Sequence, residues 1–262
     1  MSRLRAILFN LAFFAGTALM AVVGVPFAVA PRRAAMAFGR CWSRWSLALL
    51  KGIVGLDCEI RGREYLPPGA CLVAMKHQSA WDTLILPVVL GNPAVVIKRE
   101  LLLVPFYGWY AARAGSIFVD RKGGAAALRN MVAAARRAAA SGRKIVIFPQ
   151  GTRTAPHQHE PGQHGPAYQP GVAALYQALQ LPLVPAAVNS GLYWGRRSFT
   201  KRKGRIVLEF LPAIPPGMPR RQIMAELETR IEAATDRLVA EAGESQFENK
   251  SATLDPGSGQ RA

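Results

Sequence analysis

From Ala6 to Ala30 the chain carries no charged side chain, and Asn10 is the only strongly polar residue in that stretch. A helix needs about 20 apolar residues to cross a hydrocarbon core of roughly 30 Å, so the run is long enough to span a bilayer. Pro26 ends or kinks any helix built from it. Arg3 and Arg5 precede the run, while Arg32, Arg33 and Arg40 follow it. Basic residues on both flanks leave its direction across a membrane open. Three readings compete. The run is a single span, or the first half of a helix pair lying in one leaflet, or a signal peptide cleaved after Ala28-Val29-Ala30. In the second reading Trp42, Trp45, Leu47, Leu49, Leu50 and Ile53 form the other apolar element. The run is longer than a signal core and basic residues follow at once, which favours retention in the membrane.

The rest of the composition narrows the class. Half of the 262 residues are hydrophobic and 19% are charged, which excludes a solvated disordered chain. Lys and Arg outnumber Asp and Glu by 33 to 16, for a net charge of +17. That excess calls for an anionic partner, whether nucleic acid, a lipid surface or a phosphorylated substrate. No nucleic-acid-binding module is recognisable, and the apolar segment supplies a different anionic partner, the phospholipid membrane. The later cluster Arg196, Arg197, Lys201, Arg202, Lys203 and Arg205, flanked by Trp194 and Phe199, reads as a headgroup patch or as a solvated basic loop. Cys41, Cys58 and Cys71 are odd in number and have no CxxC spacing, so neither a disulfide framework nor a structural zinc site is expected.

After residue 56 short apolar runs alternate with amphipathic or Ala-rich stretches. Strands are predicted over Cys71–Met75, Ala94–Ile97, Ser116–Val119, Lys144–Phe148, Leu183–Val188 and Arg205–Phe210. Helices are predicted over Ala80–Leu90, Gly124–Ala140, Gly171–Leu179 and Arg220–Ala242, with a broken one over Arg99–Arg113. Strands separated by helical lengths argue for an α/β sheet. Thr154–Pro170, rich in Pro, Gly, His and Gln, reads as a long loop. The expected organisation is a membrane-anchoring segment at 1–56, one domain at 57–242 and a disordered tail at 243–262.

The segment Lys76-His77-Gln78-Ser79-Ala80-Trp81-Asp82 follows a buried-type strand. Positions five apart in one helix lie about 140° apart, so His77 and Asp82 can pair only across a turn. Ser79 supplies it as a helix N-cap, with Asp82 three residues later where a capping-box acid reaches back. An aspartate so placed fixes the imidazole tautomer and stabilises imidazolium, making His77 a candidate general base. Taken alone, the pair reads equally as a helix cap beside an ordinary loop histidine. Arg121 stands just past the strand of Gly115-Ser116-Ile117-Phe118-Val119-Asp120-Arg121, and Arg153 past that of Phe148-Pro149-Gln150-Gly151-Thr152-Arg153. Open α/β sheets build sites at strand C-terminal ends, and guanidinium forks suit phosphate oxygens. Gly151 permits close backbone approach.

In order, HxxxxD, G-x-I-F-V-D-R, F-P-x-G-T-R and the apolar Leu183-Val184-Pro185-Ala186-Ala187-Val188 resemble the four motifs of the glycerolipid acyltransferase family. The likeness runs from about Lys76 to Asn189 and is greatest to bacterial members acting on 1-acyl-sn-glycerol-3-phosphate. The resemblance implies a single acyltransferase domain with a mixed central sheet flanked by helices. It implies His77 as general base, Asp82 as its orienting partner, Arg121 on the acceptor phosphate, and Gly151, Thr152 and Arg153 in the same acceptor site. It implies an acyl-CoA or acyl-carrier-protein donor, a lysophospholipid acceptor, no cofactor, and a bacterial inner-membrane location facing the cytoplasm. The Pro185 segment would help shape the acyl or donor site. Lys98, ending another strand, is a further candidate anion contact or a solvated lysine.

Gln150 departs from the pattern, which usually carries Glu there. A neutral amide beside two arginines either strengthens anion binding or marks a different lysolipid acceptor. The alternative to an enzyme is a non-catalytic membrane protein that binds anionic lipid in the same groove. His157, His159 and His164 crowd the long loop with irregular spacing, which favours a solvated loop over a metal site.

Overall fold

The computed structural model describes residues 3–156 and 166–254. The charge-free run folds as helix α1 (Arg3–Val23); a 3₁₀ turn over Val25–Ala28, with Pro26 in it, reverses the chain into α2 (Arg32–Leu49). The two helices form an antiparallel hairpin in which Trp42 Nε1 donates to Thr17 Oγ1 at 3.2 Å and Phe27 stacks on Phe38. Gly16 is required there, because a Cβ at that position would lie 2.0 Å from the Trp45 ring.

The hairpin is docked on the rest of the chain at both ends of α1. Near its start, Phe9 is buried with its ring edge-on to Trp194, and Asn10 Oδ1 accepts from Lys201 Nζ at 2.7 Å. Near its end, Tyr110 Oη donates to the Ala21 carbonyl at 3.0 Å. Lys201 therefore leaves the basic surface cluster in which its sequence placed it. It is 3% exposed, sits over the rings of Phe9 and Trp194, and desolvation pulls its ammonium down to about 8. The outward face of α1 leaves Leu4, Leu8, Leu11, Phe14 and Leu19 exposed. By length and composition it is the one helix among the described residues able to cross a membrane.

Seven strands follow: β1 (Leu56–Arg61), β2 (Leu72–Met75), β3 (Ala94–Lys98), β4 (Ile117–Val119), β5 (Ile145–Ile147), β6 (Leu183–Val188) and β7 (Gly204–Phe210). They form one sheet in the order β1-β7-β6-β2-β5-β3-β4. The five strands from β6 to β4 are mutually parallel, β7 runs antiparallel to β6, and β1 lies parallel to β7. The connecting helices are α3 (Trp81–Leu90), α4 (Tyr107–Arg113), α5 (Gly124–Ala140), α6 (Pro170–Leu179) and α7 (Arg220–Leu254). This is the mixed sheet flanked by helices that the motifs imply.

Strand β2 shows why its sequence is apolar throughout. Cys71, Val73 and Met75 pack with Phe9, Trp81 and Leu84, whereas Leu72 and Ala74 pack with Met131, Val172, Tyr176 and Leu227 on the opposite face. A strand buried on both faces loses the polar alternation of a half-wet one. Pro185 is tolerated inside β6 because it lies where regular pairing with β7, which starts at Ala186–Phe210, gives way to looser bonding; its carbonyl still accepts the Leu211 N–H at 2.9 Å.

Two boundaries differ from those read in the sequence. The stretch Leu56-Asp57-Cys58-Glu59-Ile60-Arg61, for which no strand is predicted, is edge strand β1; its alternation of apolar and charged residues is the period-two mark of one wet face. Helix α7 does not stop at Ala242 but continues to Leu254, so the expected tail is helical up to that residue. Glu244, Gln246, Glu248 and Lys250 are good helix formers without an apolar stripe, and pattern reading undervalues such segments.

Candidate active site

Because the five central strands point one way, their C-terminal ends meet at one edge of the sheet. In space that edge carries Ser190 after β6, His77 after β2, the Gln150–Arg153 turn after β5, Lys98 at the end of β3 and Arg121 after β4. The candidate residues, scattered over much of the chain, are thus collected by strand order alone.

The turn between His77 and Asp82 forms as its sequence requires. His77 Nδ1 lies 2.8 Å from Asp82 Oδ2, and the same oxygen accepts the backbone N–H groups of Gln78 at 2.7 Å and Ser79 at 2.8 Å. Helix α3 starts one residue later than a Ser79 N-cap requires, with Ala80 as its N-cap and no side-chain cap bond; Ser79 Oγ instead accepts the Trp81 N–H at 3.2 Å within the turn. Asp82 Oδ1 accepts from Ser190 Oγ at 2.5 Å. Every neighbour of this buried carboxylate is a donor, so the imidazole also donates, through Nδ1–H. The lone pair then resides on Nε2, which has no partner among the described residues. Phe148 backs the ring, stacked with centroids 4.0 Å apart. Thr154 N–H donates to the His77 carbonyl at 2.8 Å, and Thr154 Oγ1 donates to Gln150 Oε1 at 3.2 Å.

The cations are arranged differently. Arg121 reaches back across the edge toward the β5 turn: a Cβ on Gly151, whose φ is +68°, would lie 3.5 Å from the Arg121 guanidinium. Burial lowers the Arg121 pKa, opposed by the charge of Glu100. Asp120 does not neutralise it, since that carboxylate accepts the Lys122 N–H at 2.9 Å and lies 3.7 Å from Arg99. Among the described residues, Lys98, Arg121 and Arg153 have no carboxylate within ion-pair distance. Thr152 lies on the same turn, between Gly151 and Arg153. His157, His159 and His164 lie outside the described residues, and within them no group of three or more His, Cys, Asp or Glu side chains gathers as a metal site would.

A family model described as Acyltransferase matches residues 57–189. Over 200 residues the chain is 34% identical to the 1-acyl-sn-glycerol-3-phosphate acyltransferase of Pseudomonas aeruginosa, covering 76% of each chain. The chain belongs to the acyltransferase family. The human 1-acyl-sn-glycerol-3-phosphate acyltransferase alpha is 31% identical over 213 residues, 79% of this acyltransferase and 72% of the relative. The fold is that of the crystal structure of the 1-acyl-sn-glycerophosphate acyltransferase from Thermotoga maritima, with a TM-score of 0.72, 18% identity, and coverage of 92% of this chain and 98% of that one.

Several residues of the candidate site escape sequence reading. Ser190 is one; it stands just past a buried strand, as His77 does, and that placement was its only signal. Gln78 Oε1 accepts the Gly191 N–H at 2.9 Å, stitching the β6 loop to the HxxxxD turn. Beneath His77, on the opposite face of the sheet, Lys76 Nζ lies 2.6 and 2.7 Å from the two carboxylate oxygens of Glu232 on α7. Tyr168 Oη donates to Glu232 at 2.8 Å, and burial followed by the Glu232 charge pushes its phenol up. Removing one member of such a buried pair costs about 3–5 kcal/mol. Lys76 thus fixes the strand end from which His77 emerges.

Proposed function

We propose that this acyltransferase transfers a fatty acyl group from acyl-CoA or acyl-carrier protein to the sn-2 hydroxyl of 1-acyl-sn-glycerol-3-phosphate, giving phosphatidic acid. The observation that carries the reading is a His77–Asp82 pair whose Nε2 meets no partner among the described residues, on the same sheet edge as an Arg121 guanidinium that meets no carboxylate among them. His77 Nε2 removes the hydroxyl proton as the oxygen attacks the thioester carbonyl. Asp82 stabilises the imidazolium so formed. The tetrahedral intermediate collapses, the C–S bond breaks, and the departing thiolate takes the proton back from His77. Arg121 and Arg153 hold the acceptor phosphate, with Lys98 beside them.

The docking of α1 supports a place on the membrane surface. Helix α1 touches the catalytic domain at two places along its length, through Asn10 in its first half and through Ala21 near its C-terminal end. A helix tied down along its length does not project from the domain across a bilayer. It lies in one leaflet with its apolar face outward, beside α2, and Phe9 in the core makes the segment part of the mature fold. The thioester donors are cytosolic, which orients the site toward the cytoplasm.

The test is a membrane-fraction assay of lysophosphatidic acid acylation with each donor, wild type beside His77→Ala. Wild-type turnover that falls by about 10²–10⁴ in the variant is the expected result. Turnover that survives the substitution would remove His77 as base.

A further inference from the structure

The 3₁₀ turn Arg99–Leu103 and helix α4 project apolar side chains that the acyl-transfer reading leaves without a task. Leu103 is 82% exposed and Trp109 52%, and Leu102, Val104 and Tyr107 are exposed beside them. The projection is built, not slack. Phe106 holds φ at +61°, a conformation costly for an aromatic residue, and stacks edge-on against Trp109 at 5.3 Å. Gly108 lets the backbone of α4 close on the preceding turn; a Cβ there would fall 2.1 Å from the Leu102 carbonyl oxygen.

Two features identify what covers this patch. It is continuous with the exposed apolar face of α1: Tyr110 bonds the Ala21 carbonyl, Arg113 bonds the carbonyls of Val29 and Ala30, and Val22, Val23 and Val29 are exposed around those contacts. Its flanks are mostly cationic: Lys98 and Arg99 stand at its start, with Glu100 following them and Arg99 3.7 Å from Asp120, and Arg113 stands at its end. An apolar patch carrying Trp and Tyr and rimmed by Lys and Arg matches the border between acyl chains and anionic headgroups. We propose that Leu102–Trp109 is a second membrane-inserting element, separate in sequence from the α1–α2 hairpin, that seats in an anionic phospholipid leaflet. It rests on the surface-bound reading of α1 and adds a consequence for the site. The turn starts directly after Lys98 on β3, and β3 neighbours β4, which ends at Arg121. A lysolipid in the leaflet beneath this turn has its phosphate delivered to those cations without leaving the bilayer by its acyl chain.

The experiment uses the full chain bound to vesicles of phosphatidylethanolamine and phosphatidylglycerol containing brominated acyl chains, a quencher confined to the hydrocarbon. Trp109 emission is taken as the difference between wild type and Trp109→Phe, after co-sedimentation confirms binding of both. We expect brominated chains to quench at least half of the Trp109 emission and aqueous iodide to quench little of it. A Leu103→Cys variant in a Cys41→Ser background, labelled with a polarity-sensitive dye, should shift to the blue on the same vesicles. It gives a second reading should Trp109→Phe fold poorly. Failure of the wild type to co-sediment overturns the surface-bound reading itself. Vesicle-bound protein whose Trp109 responds to iodide and not to bromine overturns only the second element. Shielding from both quenchers would place another protein surface on the patch and likewise overturn it.

Discussion

The two halves of the candidate site are built on opposite principles. Around Asp82 every hydrogen-bonding opportunity is used: two backbone amides, the Ser190 hydroxyl and the His77 ring converge on one buried carboxylate. Around Arg121 the reverse holds: the guanidinium meets the glycine of the β5 turn and no carboxylate among the described residues. A general base must be aimed before substrate arrives, so its supporting shell is complete in the free protein. An anion site must keep its charge unspent until the phosphate supplies the partner. Substitutions on the first half should therefore act on kcat and those on the second on KM.

The sharpest way to break this contrast is Asp82→Asn. Three donors converge on Oδ2, so the Asn amide oxygen is held there and its NH₂ turns to Ser190, whose hydroxyl can accept instead. The proton should stay on His77 Nδ1, and the loss should be that of the negative charge facing imidazolium. We expect kcat to fall by about 10²–10³ with acceptor KM within threefold. Nitrogen NMR of the His77 ring would report the tautomer. A proton moved to Nε2 would show that the hydrogen-bond shell does not fix the geometry claimed for it.

Arg121→Ala should give the complementary result. Hydrogen bonds to a charged group contribute about 1.5–3 kcal/mol, so acceptor KM should rise by about 10–100-fold while kcat changes little. Kinetics with acceptor varied at saturating donor would separate the two parameters. A fall in kcat at unchanged KM would take Arg121 off the phosphate.

What the sequence made legible follows the same division. The HxxxxD turn could be read because its logic is local: the spacing demands a turn, Ser79 supplies it, and Asp82 reaches back across it. Arg121 and Gly151 could be placed at strand ends, but not beside one another. Their neighbourhood depends on β5 inserting between β2 and β3, and parallel strand order is set by crossovers, not by any pattern within a strand. Ser190 was missed for a related reason. It lies 108 positions from Asp82, and nothing in Asn189-Ser190-Gly191 records a partner so distant. Lys201 was misplaced because a basic cluster reads as surface. Its burial depends on Phe9 and Asn10, which arrive from the other end of the chain. Local geometry is thus visible in the sequence and long-range assembly is not.

Gln150 tests where the boundary between the two halves falls. The sequence places it among the arginines as a missing negative charge, whereas the structure makes it a brace. It is 5% exposed, its Oε1 accepts from Thr154 Oγ1, and its Nε2 donates weakly to the Pro166 carbonyl at 3.3 Å. Thr154 in turn holds the His77 carbonyl, so Gln150 belongs by contact to the base and by position to the anion site. In Gln150→Glu the oxygen facing Thr154 is retained, and the His77 contact survives. Among the described residues the contact put at risk is the long hydrogen bond to the Pro166 carbonyl, and what is gained is a buried charge on the side of the cations. We expect kcat within twofold of wild type and acceptor KM raised by about two- to fivefold. Stability should fall by about 1 kcal/mol, or roughly 2–4 °C in thermal midpoint for a domain of this size. A drop in kcat at unchanged KM would assign Gln150 to the base alone, and the anion site would then owe nothing to its neutrality.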